Sequence, residues 1–73
     1  MPEYPILSGA EVIRALQRLG FEQVRQKGSH VSLHRGSDRC VVPLHKEIRR
    51  GTLGEIIRQS RVTPAEFLAA LAR

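Results

Sequence analysis

Three histidines, His30, His34 and His45, are the side chains of this 73-residue chain best suited to moving a proton near neutral pH. His30 is the strongest candidate of the three. It follows Gly28-Ser29 and begins the run His30-Val31-Ser32-Leu33-His34, which alternates strictly between polar and apolar residues. Period two places Val31 and Leu33 on one face of a strand and His30, Ser32 and His34 on the other. Arg25, Lys27, Arg35 and Arg39 surround it in sequence, and such cations could hold phosphates and offset charge developing on a phosphoryl oxygen. An RNA strand laid over that face carries its own nucleophile, the 2′-hydroxyl, so an imidazole could work there without a metal. The plainer alternative is an exposed strand histidine with no role, since placed histidines are only probabilistic site markers.

The other candidates are read in the same way. His34 lies four residues along the strand, roughly 13 Å from His30 at ordinary strand rise. That separation, a single cysteine and the lack of a histidine pair on a helix argue against a metal site; no metal or cofactor is expected. His45, in Pro43-Leu44-His45-Lys46, could donate a second proton, touch a phosphate, or simply bond a loop carbonyl. Lys46, Arg49 and Arg50 lead into a helix start at Gly51-Thr52, where free N–H groups and a positive dipole end would favour an anion. A solvated basic loop is the competing description. Ser29 and Ser32 neighbour His30, but no acidic residue is placed to orient the imidazole, so a serine triad has little support.

The elements that must position these residues follow from spacing. Residues 1–7, with Pro2 and Pro5, form a lead-in. Ser8 and Glu11 have capping-box spacing. Val12, Ile13, Leu16 and Leu19 then recur at helical intervals, and Gly20 supplies a left-handed stop, so a helix is predicted over about 9–19. An extended segment over 21–27 is anchored by Phe21 and Val24. Gly28-Ser29 is a turn, 30–34 a strand, Arg35-Gly36-Ser37-Asp38 a hairpin turn and 39–43 a third strand that Pro43 ends. Thr52 and Glu55 repeat the capping spacing before a helix over about 53–60. Thr63-Pro64-Ala65-Glu66 opens a last helix over 64–72, with Phe67, Leu68 and Leu71 as its buried stripe. The expected fold is α+β in two layers: a three-stranded antiparallel sheet, helices on one face, order α-β-β-β-α-α. The other sheet face stays open, and His30 would sit on it.

Composition bounds the partners. Seventy-three residues suffice for one domain with a thin core, here residues 1–73. No apolar stretch approaches the roughly 20 residues that span a bilayer, and no basic region precedes an apolar run as in a secretory signal. A cytoplasmic protein that does not enter a membrane is therefore expected. Cys40, the only cysteine, fits a reducing compartment and reads as a small buried apolar residue. Twelve Lys and Arg against seven Asp and Glu give +5, which favours polyanionic partners. Only Tyr4, Phe21 and Phe67 are aromatic, so passive stacking of single-stranded bases is not expected as the main role.

Taken together, several segments resemble one known family. Gly28-Ser29-His30 after a polar strand, Val42-Pro43-Leu44-His45-Lys46, Gly51-Thr52-Leu53 and Ile56-Ile57-Arg58-Gln59 are similar to the HicA (YcfA-like) toxins. The opening from Ser8-Gly9 to Leu19-Gly20-Phe21 also resembles theirs, and the likeness runs in order from Ser8 to about Leu71. The resemblance implies a fold like the double-stranded-RNA-binding domain. It implies an mRNA interferase that cuts transcripts and arrests translation, with His30 in the position of the family's catalytic histidine. It also implies neutralisation by a HicB-like antitoxin that covers the active face. Joined to the residues, it gives an endoribonuclease in which His30 acts as acid or base. Arg25, Lys27, Ser29, Arg35, His45, Lys46, Arg49 and Arg50 would serve RNA or phosphate binding. Two other readings compete: a non-catalytic binder of structured RNA with the same fold and charge, and a basic module that meets an acidic protein.

Overall fold

Ser8 starts the first helix in the way its spacing predicts. Its hydroxyl accepts from the Glu11 N–H at 3.2 Å, and the Glu11 carboxylate accepts from the Ser8 N–H at 3.0 Å. The Ser8 backbone N–H, and after it the Ser8 hydroxyl, hold the Glu11 carboxyl below its ordinary pKa. Helix α1 spans Gly9–Arg18 and buries Val12, Ile13, Ala15 and Leu16. Gly20 then takes φ +96°, a left-handed conformation that costs a glycine little, and Phe21 N donates back to the Leu16 carbonyl at 3.0 Å.

The computed structural model describes residues 4–73. After α1 come β1 (Glu22–Lys27), β2 (His30–Arg35), β3 (Asp38–Pro43), α2 (Arg50–Ser60) and α3 (Pro64–Leu71). The strands form an antiparallel meander in the order β1-β2-β3. Val31, Leu33, Cys40 and Val42 are buried at alternate positions, as the period-two pattern requires; α1 and α2 pack over β3, and α3 packs on α1. This is the expected α-β-β-β-α-α architecture. Cys40 is buried, as its reading as a small apolar residue demands, and burial pushes its thiol up to about 11.

Three local expectations are corrected. Val24 is no anchor: it is 50% exposed, whereas Phe21 alone is buried at that end. The register shifts between Gln23 and Arg25, so Val24 is the extra residue of a bulge. All six residues of β1 are exposed, because this edge strand lies beyond the reach of the helices. Thr52 and Glu55 form no capping box. Buried Ile48 donates its N–H to the Leu7 carbonyl at 2.7 Å, and the chain enters α2 directly behind it, with Arg49 as an N-cap that makes no side-chain bond. Thr52 is then already inside the first turn, and Glu55 pairs with Arg58 instead. In α3 the capping box of Thr63 and Glu66 forms with Pro64 behind the cap. Its buried stripe is Phe67 and Ala70, with Leu68 and Leu71 only partly covered. Tyr4 meets Phe67 edge-on at 6.0 Å, which pins the lead-in to the core. Pro2 of that lead-in lies outside the described residues.

Candidate active site

The open face of the sheet is a grid of three rows. In register, His30 lies between Lys27 and Pro43, Ser32 between Arg25 and Val41, and His34 between Glu22 and Arg39. Residues opposite each other across antiparallel strands have Cβ atoms about 5 Å apart, so each row is a contact set. The column from β1 is mainly basic and the column from β3 is largely apolar, with Val41 44% exposed. The histidine–serine–histidine column runs between them.

The bulge makes this arrangement possible. Counting by twos from buried Phe21 puts residues 23, 25 and 27 on one face, and Gln23 indeed lies opposite buried Leu33. The extra residue, Val24, changes the parity. Arg25 and Lys27 consequently come to the open face beside Ser32 and His30. Gly28, at φ +59°, closes the turn that follows, and exposed Ser29 leads straight into His30.

A groove opens at the same end of the sheet. Pro43, His45, Glu47, Ile48, Arg49 and Thr52 line it, and Pro43 is also the cross-strand partner of His30. The first turn of α2 borders this groove through Arg49 and Thr52, and Lys46 and Arg50 are exposed nearby in the chain. Seven of the sequence-predicted residues, Lys27, Ser29, His30, His45, Lys46, Arg49 and Arg50, therefore belong to one end of the molecule, with Arg25 one row away. Glu47 and the apolar Val41–Pro43 column escaped the sequence reading. The alternation of Arg39, Val41 and Pro43 outward in β3 was the signal that could have found the column.

Arg35 is the exception. It has the parity of Val31 and Leu33, so it belongs to the helix-covered side, at the far end of β2 from His30. Its guanidinium donates to the Leu19 carbonyl at 3.0 Å, pairs with Asp38 at 3.1 Å and stacks over Phe21 at 4.7 Å from the ring centre. A side chain spent on three structural contacts is not free to hold a phosphate at His30. His34, half-buried in the Glu22–Arg39 row, is also remote from the His30 end.

Neither cross-strand neighbour of His30 is acidic, so the register provides no carboxylate to orient the imidazole as a triad would. Among the described residues no cluster of three or more His, Cys, Asp or Glu could hold a metal, and no helix is long and apolar enough to cross a membrane. What the grid offers is an accessible imidazole flanked by cations on one side and an apolar surface on the other. That combination suits general acid–base chemistry on a phosphodiester. The sequence model of the family described as the HicA toxin of bacterial toxin-antitoxin matches residues 9–62, more than half of the chain and the whole of the His30 grid. No curated protein matches the chain.

Proposed function

The chain belongs to the HicA toxin family of bacterial toxin–antitoxin systems, and from that premise we propose that it is a metal-independent endoribonuclease with His30 at its centre. As a toxin of this type it has a cognate antitoxin, which we take to be HicB-like and to cover the open sheet face. The observation that carries the reading is the first row of the grid. His30 is exposed at the strand end, with Lys27 on one side and the Pro43 groove on the other.

In this mechanism His30 removes the proton of the 2′-hydroxyl, whose oxygen then attacks the adjacent phosphorus. The bond from phosphorus to the 5′-oxygen breaks, leaving a cyclic phosphate and a 5′-oxyanion that takes up a second proton to become the 5′-hydroxyl. Lys27, with Arg25 behind it, positions the phosphate and offsets the charge on its oxygens as the transition state forms. Lys46, Arg49 and Arg50 hold the neighbouring backbone next to the start of α2. Cleavage of mRNA would arrest translation and would place the protein in the cytoplasm. The absence of a stacking platform fits an enzyme that grips the backbone rather than the bases.

The test incubates end-labelled single-stranded RNA with the protein in EDTA, beside a matched all-deoxy oligonucleotide and the His30→Ala variant. Cleavage of RNA alone, lost in the variant, is expected. Intact RNA, or equal cutting by the variant, would refute the reading; RNA that stays intact but bound would instead favour a non-catalytic RNA-binding module.

A further inference from the structure

Breaking the bond to the 5′-oxygen leaves an alkoxide that needs a proton, and one imidazole cannot accept and donate at the same instant. We propose that His45 is the second proton-transfer group, delivering its proton to the departing 5′-oxygen while His30 takes the one from the 2′-hydroxyl. The inference rests on the ribonuclease reading above. In balance, His30 gains one proton, His45 loses one, the 2′-oxygen–phosphorus bond forms and the 5′-oxygen–phosphorus bond breaks.

The placement of His45 carries this assignment. Pro43 stands directly across from His30, and His45 follows two residues later in the same groove wall. The Leu44–Ser29 hydrogen bond carries the pairing one residue past β3, so one strand spacing and two Cα steps put the Cα atoms of the two histidines within roughly 9 Å. Imidazoles turned toward each other across that separation would leave room for one phosphodiester, with each ring near 3 Å from the oxygen it serves. His34 fails the same measure, roughly 13 Å along the strand.

The backbone around His45 is also fixed from two directions. The Leu44 N–H donates to the Ser29 carbonyl at 2.6 Å, which ties the segment to the turn that carries His30. On the other side the His45 carbonyl accepts from the Gly9 N–H at 2.9 Å. Gly9 packs so tightly that a Cβ there would overlap the Pro43 carbonyl oxygen, and it would come within 2.9 Å of the Leu44 Cα. The start of α1 thus acts as a stop against which the His45 segment rests. Its carbonyl is spent on this contact, while its imidazole stays exposed and lines the groove. The charged groups facing this pair are Glu47 and Arg49 in the groove and Lys27 across from His30.

The discriminating substrate is an RNA whose scissile 5′-oxygen is replaced by sulfur. A thiolate leaves without help from an acid. The wild type, His30→Ala, His45→Ala and His45→Gln are compared on this RNA and on ordinary RNA across pH, with thermal melts to establish that each variant is folded. Both His45 variants should lose about 10²–10⁴-fold on ordinary RNA. They should regain most of that on the sulfur substrate and lose the alkaline limb of the pH–rate profile, while His30→Ala is not rescued. Wild-type-like cutting of ordinary RNA by the His45 variants would overturn the assignment, and so would a loss that sulfur does not repair. In either case a wild type that cuts in a His30-dependent way leaves the ribonuclease reading standing. A wild type that cuts nothing brings down both.

Discussion

The two ends of β2 carry similar raw material and use it in opposite ways. At one end His30 is exposed, flanked by Lys27 and Pro43, and opens onto a groove. At the other, Arg35 is only partly exposed and holds a carbonyl, a carboxylate and an aromatic ring. Both ends carry cationic side chains, and a reading of nearby cations would assign both to phosphate. The difference lies in parity: an odd step along the strand separates a side chain that faces solvent from one that clamps the layers together. A cation near a catalytic residue in sequence becomes a binding group only if its hydrogen-bonding capacity has not been used elsewhere.

The largest test of that contrast exchanges activity for stability at the two ends. His30→Ala should lower RNA cleavage about 10²–10⁴-fold, the range of a general acid or base. Its melting temperature should hardly move, since exposed substitutions away from special features cost within about 0.5 kcal/mol. Arg35→Ala should do the reverse. Losing one carbonyl hydrogen bond, a cation–π contact and a partly exposed ion pair adds to about 2 kcal/mol. For a domain of this size that lowers the melting temperature by about 10 °C. Cleavage measured well below the transition should stay near wild type. If Arg35→Ala instead abolished cleavage while remaining folded, the division between the two ends would collapse.

Most of the fold was legible because local chemistry and core packing agree. Ser8 and Thr63 cap, Gly20 turns, and Val31, Leu33, Cys40 and Val42 alternate, and each does in the structure what its residue type favours alone. The start of α2 departs from the sequence pattern because a tertiary contact, Ile48 against Leu7, outranks the Thr52–Glu55 spacing. Within the site, His30 and its face followed from period two in β2. Arg25 and Lys27 were named from proximity alone, since nothing in Gln23-Val24-Arg25 announces the bulge that turns them outward. The role of Arg35 is not legible in the sequence because the partners that occupy it, Leu19, Phe21 and Asp38, converge only after the hairpin closes. The support behind the His45 segment belongs to the same class: Gly9 and Pro43 meet through tertiary structure, not sequence distance.

A smaller effect distinguishes the basic column from the histidine. Lys27→Ala and Arg25→Ala should weaken RNA binding about uniformly across sequences, because phosphate contacts carry no base information. Each should also reduce the slope of log affinity against log salt by about 0.7. His30→Ala should leave that slope alone, as should Arg35→Ala, whose guanidinium is turned to the other face. A slope that responded to Arg35→Ala as strongly as to Lys27→Ala would place RNA across both ends of the strand.

The smallest effect comes from Asp38→Asn, which cuts one strand of the Arg35 clamp and leaves the other two. The ion pair is partly exposed, with the two side chains at 32% and 22%, so water already screens it. Such pairs contribute about 0.2–1 kcal/mol, well under the loss expected for Arg35→Ala. Asparagine keeps an acceptor oxygen for the guanidinium, which holds the change near the lower limit. Stability should therefore fall slightly, cleavage should be unchanged, and the small loss should shrink further in high salt as screening removes what the charge contributed. A loss as large as that of Arg35→Ala would mean that Asp38 alone orients the guanidinium over Phe21 and toward the Leu19 carbonyl. The clamp would then be one linked unit rather than three contacts that add.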